Sequence, residues 1–247
     1  MRIIGIIPAR YASSRFPGKP LVDIDGKTMI QRVYEQAKKS SALTDVVVAT
    51  DDQRIADNVM SFNGKVMLTS EKHTTGTERC NEVILNFEKQ DLLFDVAINI
   101  QGDEPFIDPR QIDKLAACFA DEKVQIATLI KKLESADELF SPNIIKVVVD
   151  KAKKAIYFSR SPIPFLRGKE KEDWIKSSGY YKHIGIYAYR TNILKEISLL
   201  KPTSCEISES LEQLRWLENS YYIHTEVTEF ESHSIDVPED LLKVKKL

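Results

Sequence analysis

The chain opens on an apolar run, Ile3-Ile4-Gly5-Ile6-Ile7, that breaks at Pro8. An uninterrupted apolar stretch of strand length predicts a strand buried on both faces, as in a parallel sheet. Residues 28–39 then carry apolar positions at helical spacing, with Met29, Ile30, Val33, Tyr34 and Ala37 on one stripe. Asp45–Thr50 reads as a second buried strand, Gln53–Phe62 as a helix closed by Asn63-Gly64, and Lys65–Thr69 as a short strand. Glu78–Phe87 reads as a helix and Phe94–Ile100 as the next strand. This βαβαβ rhythm predicts a doubly wound α/β sheet.

From about residue 121 the strand candidates crowd together: Val124–Ile130, Ile144–Val149 and Ala155–Phe158, with Ser141-Pro142-Asn143 as a break. Such crowding predicts antiparallel pairing in an insertion that serves substrate binding or dimerisation. Residues 167–178, rich in Lys and Glu around Trp174, read as an exposed loop. His183–Tyr189 reads as a strand, residues 206–218 as one helix and Tyr221–Val227 as a final strand. Without internal repeats or low-complexity segments, one compact domain with an elaborated second half is expected.

Composition narrows the class. The 247 residues are 43% hydrophobic and 29% charged, with a formal net charge of -2, which excludes the basic footprint of a duplex-binding protein. Cys80, Cys118 and Cys205 are odd in number and widely spaced, as expected of free thiols in a reducing compartment. No segment reaches the ~20 apolar residues of a membrane span, and the opening lacks the pattern of a signal peptide. A soluble cytoplasmic protein is expected.

The candidate chemistry starts in the loop after the first strand, where Arg10, Arg15 and Lys19 stand among small residues with no acidic neighbour. Loops that follow strands at the carboxyl edge of an open α/β sheet bind ligands. Three cations there suit a polyphosphate, the alternative being a solvated basic loop. Gln101-Gly102-Asp103-Glu104-Pro105 follows another buried strand, which suits Asp103 to a hard cation such as Mg²⁺, with a simple turn as the alternative. Asp236, in Ile235-Asp236-Val237-Pro238, is either a helix N-cap or a second carboxylate for that metal, and both can hold. Thr75-Gly76-Thr77-Glu78-Arg79 opens a helix and offers an anion or nucleobase contact, or a plain Thr cap. On spacing alone Glu206, Glu209 and Glu212 form a solvated helix face. His183, Gly185 and Tyr187 share a sheet face, fit either to bind hydroxyls or to complete a core. His73, His224 and His233 lack metal-ligand spacing, and neither a phosphate-loop motif nor a nucleophile–base pair is present. Direct displacement on a nucleotide phosphate, helped electrostatically, is the reaction class this favours.

Taken together, IIPARYASSRFPGKPL at 6–21, ATDD at 49–52, TGTER at 75–79, NIQGDEP at 99–105, YFSR at 157–160, KHIGIYAYR at 182–190, LEQLR at 211–215 and IDVPEDL at 235–241 resemble the 3-deoxy-manno-octulosonate (Kdo) cytidylyltransferases. The resemblance spans nearly the whole chain. It departs from the family pattern at Thr75, Cys205 and Val237, where Ser, Leu and Thr are usual. It implies a Rossmann-like, mainly parallel doubly wound sheet of the nucleotide-diphospho-sugar transferase type with an antiparallel insertion. It divides the single domain into a nucleotide-binding part at about 1–120, a sugar-binding and dimerisation part at about 121–225 and a metal-binding segment at about 226–247. The implied reaction is CTP plus Kdo giving CMP-Kdo and pyrophosphate, for lipopolysaccharide assembly, with Mg²⁺ and in a homodimer. Arg10, Arg15 and Lys19 would meet the triphosphate, and Arg79, Thr77, Gln101 and the Pro8-Ala9 backbone the nucleotide. Gln101, Arg160, His183, Tyr187, Glu212 and Gln213 would hold the sugar acid, and Asp103 with Asp236 the metal. Another acidic sugar as acceptor, an amino-substituted octulosonate or a nonulosonate, and a non-catalytic nucleotide-binding module are the alternatives.

Overall fold

The computed structural model describes residues 1–12, 16–177, 179–231 and 234–241. In chain order, β1 (Ile3–Ala9) leads through the small hairpin β2 (Asp23–Ile24) and β3 (Lys27–Thr28) into α1 (Met29–Ala37). Then come β4 (Asp45–Thr50), α2 (Gln53–Ser61), β5 (Val66–Leu68), α3 (Gly76–Glu88), β6 (Val96–Asn99) and α4 (Pro109–Ala117). The second half holds β7 (Ile126–Lys132), α5 (Ala136–Phe140), β8 (Lys146–Val149), β9 (Ala155–Ser159), α6 (Trp174–Ser177) and β10 (Tyr181–Arg190). It closes with α7 (Thr191–Ile197), α8 (Ser204–Glu209), α9 (Gln213–Glu218) and β11 (Ile223–Val227). Side-chain oxygens of Thr28, Asp52, Thr75 and Asp108 cap α1, α2, α3 and α4, satisfying amides that each helix start leaves without a partner.

The main sheet runs in the order β11-β7-β10-β6-β1-β4-β5. β6, β1, β4 and β5 are parallel, β10 is antiparallel to both β6 and β7, and β11 is parallel to β7. β8 adds to β10 and β9 to β8, both antiparallel, so the expected mixed sheet with an antiparallel insertion is present. The apolar run of β1 is continuous because both its faces are covered. Ile3 and Ile7 pack with residues of α1, α2 and α4, while Ile4 and Ile6 pack on the other side with residues of α3, α7 and α9. At ~25 cal/mol per Å² of apolar surface, fully burying such side chains is worth roughly 1.5–3 kcal/mol each.

From β1 the chain goes to β4 on one side and later returns to β6 on the other. That reversal opens a crevice beyond the carboxyl ends of β1 and β6, the position where open α/β sheets take ligands.

Two expectations are corrected. Residues 167–178 are not simply an exposed loop: a 3-10 turn at Lys171–Asp173 leads into α6, and Trp174 is only 4% exposed. Its ring packs against Phe140, Phe165 and Tyr180, and its Nε1–H donates to the Lys169 carbonyl. The surrounding charges hid one large anchor. Residues 206–218 are two helices, because Ser210 turns into the left-handed region at φ 52° between α8 and α9.

Candidate active site

Two cavities open from the crevice among the described residues. The smaller, about 280 Å³, is walled by Pro8 and Ala9 at the end of β1, Arg10 just after it, Lys19 and Pro20, residues 73–76 and Arg79 at the start of α3, Gln101–Asp103 after β6, and Asp236. The larger, about 620 Å³, lies under β10 and α9 and includes Thr77, Asn99, His183, Tyr187, Glu212 and Gln213. Pro8, Gly76, Gln101, Asp103 and Asp236 border both, so the cavities meet at the two aspartates.

Gly102 makes that meeting possible. A Cβ there would stand 2.7 Å from the Pro8 carbonyl oxygen, so the loop after β6 lies against the end of β1 only because residue 102 has no side chain. Glycine at this position brings the loop after β6 against the end of β1. The Lys19 Nζ sits 2.7 Å from one carboxylate oxygen of Asp103 and 3.6 Å from one of Asp236. The Ile235 amide donates to the Asp103 carbonyl at 2.9 Å, tying the C-terminal segment to the β6 loop. The Asp240 carboxylate accepts from the amides of Asp236 and Val237, which leaves the Asp236 side chain turned to Lys19.

Arg10, Lys19, Arg79, Gln101 and the Pro8-Ala9 backbone thus line the smaller cavity, while Arg15 lies outside the described residues. Arg79 is less available than a loop cation. Its guanidinium is 4% exposed and bound to Asp51 at 2.6 Å and to the Thr69 hydroxyl at 2.5 Å, so it forms a fixed floor. His73, dismissed on spacing, also lines this cavity and pairs with Glu82. Burial raises the Glu82 carboxyl, but the Ser70 amide and His73 outweigh it and hold it below the ordinary range.

In the larger cavity, Gln101 donates to the Gly185 carbonyl at 2.8 Å. Thr77 lines this cavity and not the smaller one, donating to Glu212 at 3.1 Å. Burial raises the Glu212 carboxyl, with hydroxyls of Thr75 and Thr77 and the charge of Arg215 opposing it. The glutamates are therefore not a solvated face. Glu206 pairs with the buried Arg215, Glu209 accepts from Ser159 and the Arg160 amide, and Glu212 lines the cavity.

Enclosure by Phe158, Tyr187 and Thr128 pushes the His183 imidazole down to about 3, so it is neutral at physiological pH. The Thr128 hydroxyl lies 2.8 Å from the Ile186 carbonyl and 3.0 Å from His183 Nε2. If its one proton goes to that carbonyl, Nε2 carries hydrogen and Nδ1 is left as an acceptor. Arg160 stands apart: it lines neither cavity, and its guanidinium donates to the carbonyls of Glu209 and Pro142.

Beside Gln213, which the resemblance implies, stand lining groups that the sequence did not single out. Asn99 Oδ1, Gln213 Nε2 and Trp216 Nε1 are buried in the wall without a hydrogen-bond partner in the protein, which suits them to a hydroxyl-rich ligand. Lys146 is fully buried and donates to the carbonyls of Ser141, Ile144 and Arg160, fastening the turn that carries Asn143 and Ile144 into the cavity. Desolvation pushes its ammonium below the ordinary lysine range. Asn99 was visible only as a position inside an apolar strand and its following motif, and Trp216 only as part of the helix read over 206–218. Elsewhere, Cys118, His224 and Glu226 bring donor atoms within 4.8 Å of one another, but Lys153 already neutralises Glu226 at 2.7 Å. His233 lies outside the described residues.

The cytidylyltransferase family model matches residues 4–229. A 3-deoxy-manno-octulosonate cytidylyltransferase of Parabacteroides distasonis is 55% identical over 247 residues, spanning 98% of this chain and 96% of its own. That of Cytophaga hutchinsonii is 54% identical with the same coverage. A solved CMP:2-keto-3-deoxy-manno-octonic acid synthetase complexed with CTP superposes with a TM-score of 0.91 at 42% identity, covering 100% of this chain and 98% of that one. Sequence, fold and a crevice with two adjoining cavities agree, and the chain belongs to the 3-deoxy-manno-octulosonate cytidylyltransferase family.

Proposed function

We propose that the protein transfers CMP from CTP to 3-deoxy-manno-octulosonate, giving CMP-Kdo and pyrophosphate and so activating the sugar for lipopolysaccharide assembly. The observation that carries this reading is the shared border of the two cavities at Asp103 and Asp236. A nucleotide on one side and a sugar acid on the other would bring their reacting atoms together there. Arg10 and Lys19 would bind the triphosphate, with the amino end of α3 beside them. Arg79 and the Pro8-Ala9 backbone would meet the cytidine. Gln101, His183, Tyr187, Glu212 and Gln213 would orient the acceptor through its hydroxyls. The anomeric 2-hydroxyl oxygen attacks the α-phosphorus and loses its proton, while the bond to the pyrophosphate oxygen breaks in line.

The donor set of Asp103 and Asp236 fits Mg²⁺. Both present hard carboxylate oxygens, and the Lys19 ammonium already sits between them as a cation. Bound there with the triphosphate, Mg²⁺ would offset charge on the transferring phosphoryl group. Lys19 would then move from carboxylates to phosphate oxygens. A cytoplasmic homodimer is part of the same reading. Three free cysteines support a reducing compartment, and among the described residues no helix is long and apolar enough to cross a membrane.

Purified protein with Mg²⁺, CTP and Kdo is expected to release pyrophosphate, with other octulosonates and nonulosonates turning over far more slowly. Asp103→Ala should lower that rate by about a hundred-fold or more with the fold intact. Full turnover by the variant would remove the metal role from Asp103, and faster turnover of another sugar acid would reassign the acceptor.

A further inference from the structure

We propose that Lys182 is a positioning residue: gripping Glu231, it holds the C-terminal segment that carries Asp236 over the junction of the two cavities. This rests on the reading of Asp103 and Asp236 as metal carboxylates. After β11 the chain leaves the sheet and returns to the crevice, and Glu231, Ser234 and Asp236 all line the larger cavity. The segment is thus one wall of the acceptor site as well as the bearer of the second carboxylate.

Its attachment depends on an unusual pair. Lys182 on β10 and Lys131 on β7 are directly opposed across the antiparallel ladder. Like charges facing each other in a sheet repel, and both side chains are largely enclosed, 11% and 18% exposed. The two carboxylate oxygens of Glu231 bridge them, one 2.7 Å from Lys182 and the other 2.5 Å from Lys131. Glu138 on α5 takes a second position on Lys182 at 2.7 Å, so two cations and two anions balance. Among the described residues lining the larger cavity, Lys182 supplies the ammonium, and it is already committed to these carboxylates. On the near side of Glu231 the segment is held by Lys114 donating to the Val227 carbonyl and Gln111 to that of Phe230. On the far side, Ile235 is buried and its amide is bound to the Asp103 carbonyl. Glu231 is therefore anchored between these described contacts, five residues before Asp236. Loss of the Lys182 grip would leave Glu138 and Glu231 as neighbouring anions, with Lys131 and the Ile235 amide as the contacts that still hold the wall against their repulsion.

The test compares Lys182→Met, Lys182→Arg and Glu231→Gln in the full chain by two measurements. One is hydrogen exchange at the amides of Ile235, Asp236 and Val237; the other is Mn²⁺ affinity in the presence of CTP, read by electron paramagnetic resonance. Lys182→Met and Glu231→Gln are expected to speed exchange at those amides and to weaken Mn²⁺ by about ten-fold, the scale on which supporting groups act on metal sites. Lys182→Arg should restore both, since a guanidinium can still reach the carboxylates. A purely structural network would lower the melting temperature yet leave exchange and Mn²⁺ affinity of the folded protein unchanged, and that result would overturn the proposal. Should Lys182→Met not fold, Glu231→Gln decides alone. If the wild-type protein with CTP binds no Mn²⁺, the metal reading fails, while the exchange measurement still decides whether Lys182 holds the segment.

Discussion

At His183 the residue's surroundings decide its charge. Alternation along the strand left two uses open, a polar contact for hydroxyls or a completed core. The structure combines them, because the ring lines the larger cavity and is also packed between Phe158 and Tyr187. Enclosure takes its pKa to about 3 from an unfolded value of about 6.5. Below pH ~6.5 the unfolded chain binds a proton that the folded protein refuses until about pH 3, so stability falls as pH drops through that window and is flat above it. His183→Gln should therefore lose less stability than the wild type between pH 7 and pH 5, measured by urea midpoints at each pH. An equal loss in both proteins would shift the acid sensitivity to other groups. Asp103 and Lys19 were legible from their positions after strands. Asn99 was not, because an orphaned amide is a property of its neighbours.

Among the elements, α8 and α9 show how one residue redirects a helical pattern. A single helix over 206–218 would spread its glutamates into solvent. The left-handed Ser210 breaks it and folds Glu206 back onto Arg215. The guanidinium is 6% exposed and is held by both Glu206 oxygens, at 2.5 and 2.7 Å, and by the Leu200 carbonyl at 2.9 Å. Glu206→Ala leaves that charge enclosed without its anion, and breaking such a pair costs roughly 3–5 kcal/mol. Chemical denaturation should record the loss as a lower midpoint with an unchanged slope. A change below about 1 kcal/mol would mean that water reaches the guanidinium. This break also decides that Glu212 and Gln213 enter the cavity at the start of α9 instead of continuing a surface face.

On the scale of the whole molecule, β9 has β8 on one side and no strand on the other among the described residues, with Ile156 exposed on it. An open edge with an exposed apolar residue invites pairing, which agrees with the homodimer proposed above. Sedimentation should give twice the chain mass of 28.2 kDa, and Ile156→Lys should move the protein towards the monomer. A wild-type monomer at micromolar concentration would remove the dimer from the account.

Sequence by itself determined the parallel half of the sheet, since a strand covered on both faces must be apolar throughout, and β1 and β4 show this directly. Its ordered motifs also determined the family. Which polar groups meet was decided only by tertiary structure. Asp103 and Asp236 lie far apart along the chain, Lys131 and Lys182 oppose each other only through strand register, and Thr77 turns to Glu212 only once α9 is docked. Hydrophobic periodicity records which face of an element is buried; it carries no information about which distant charge will be folded against it.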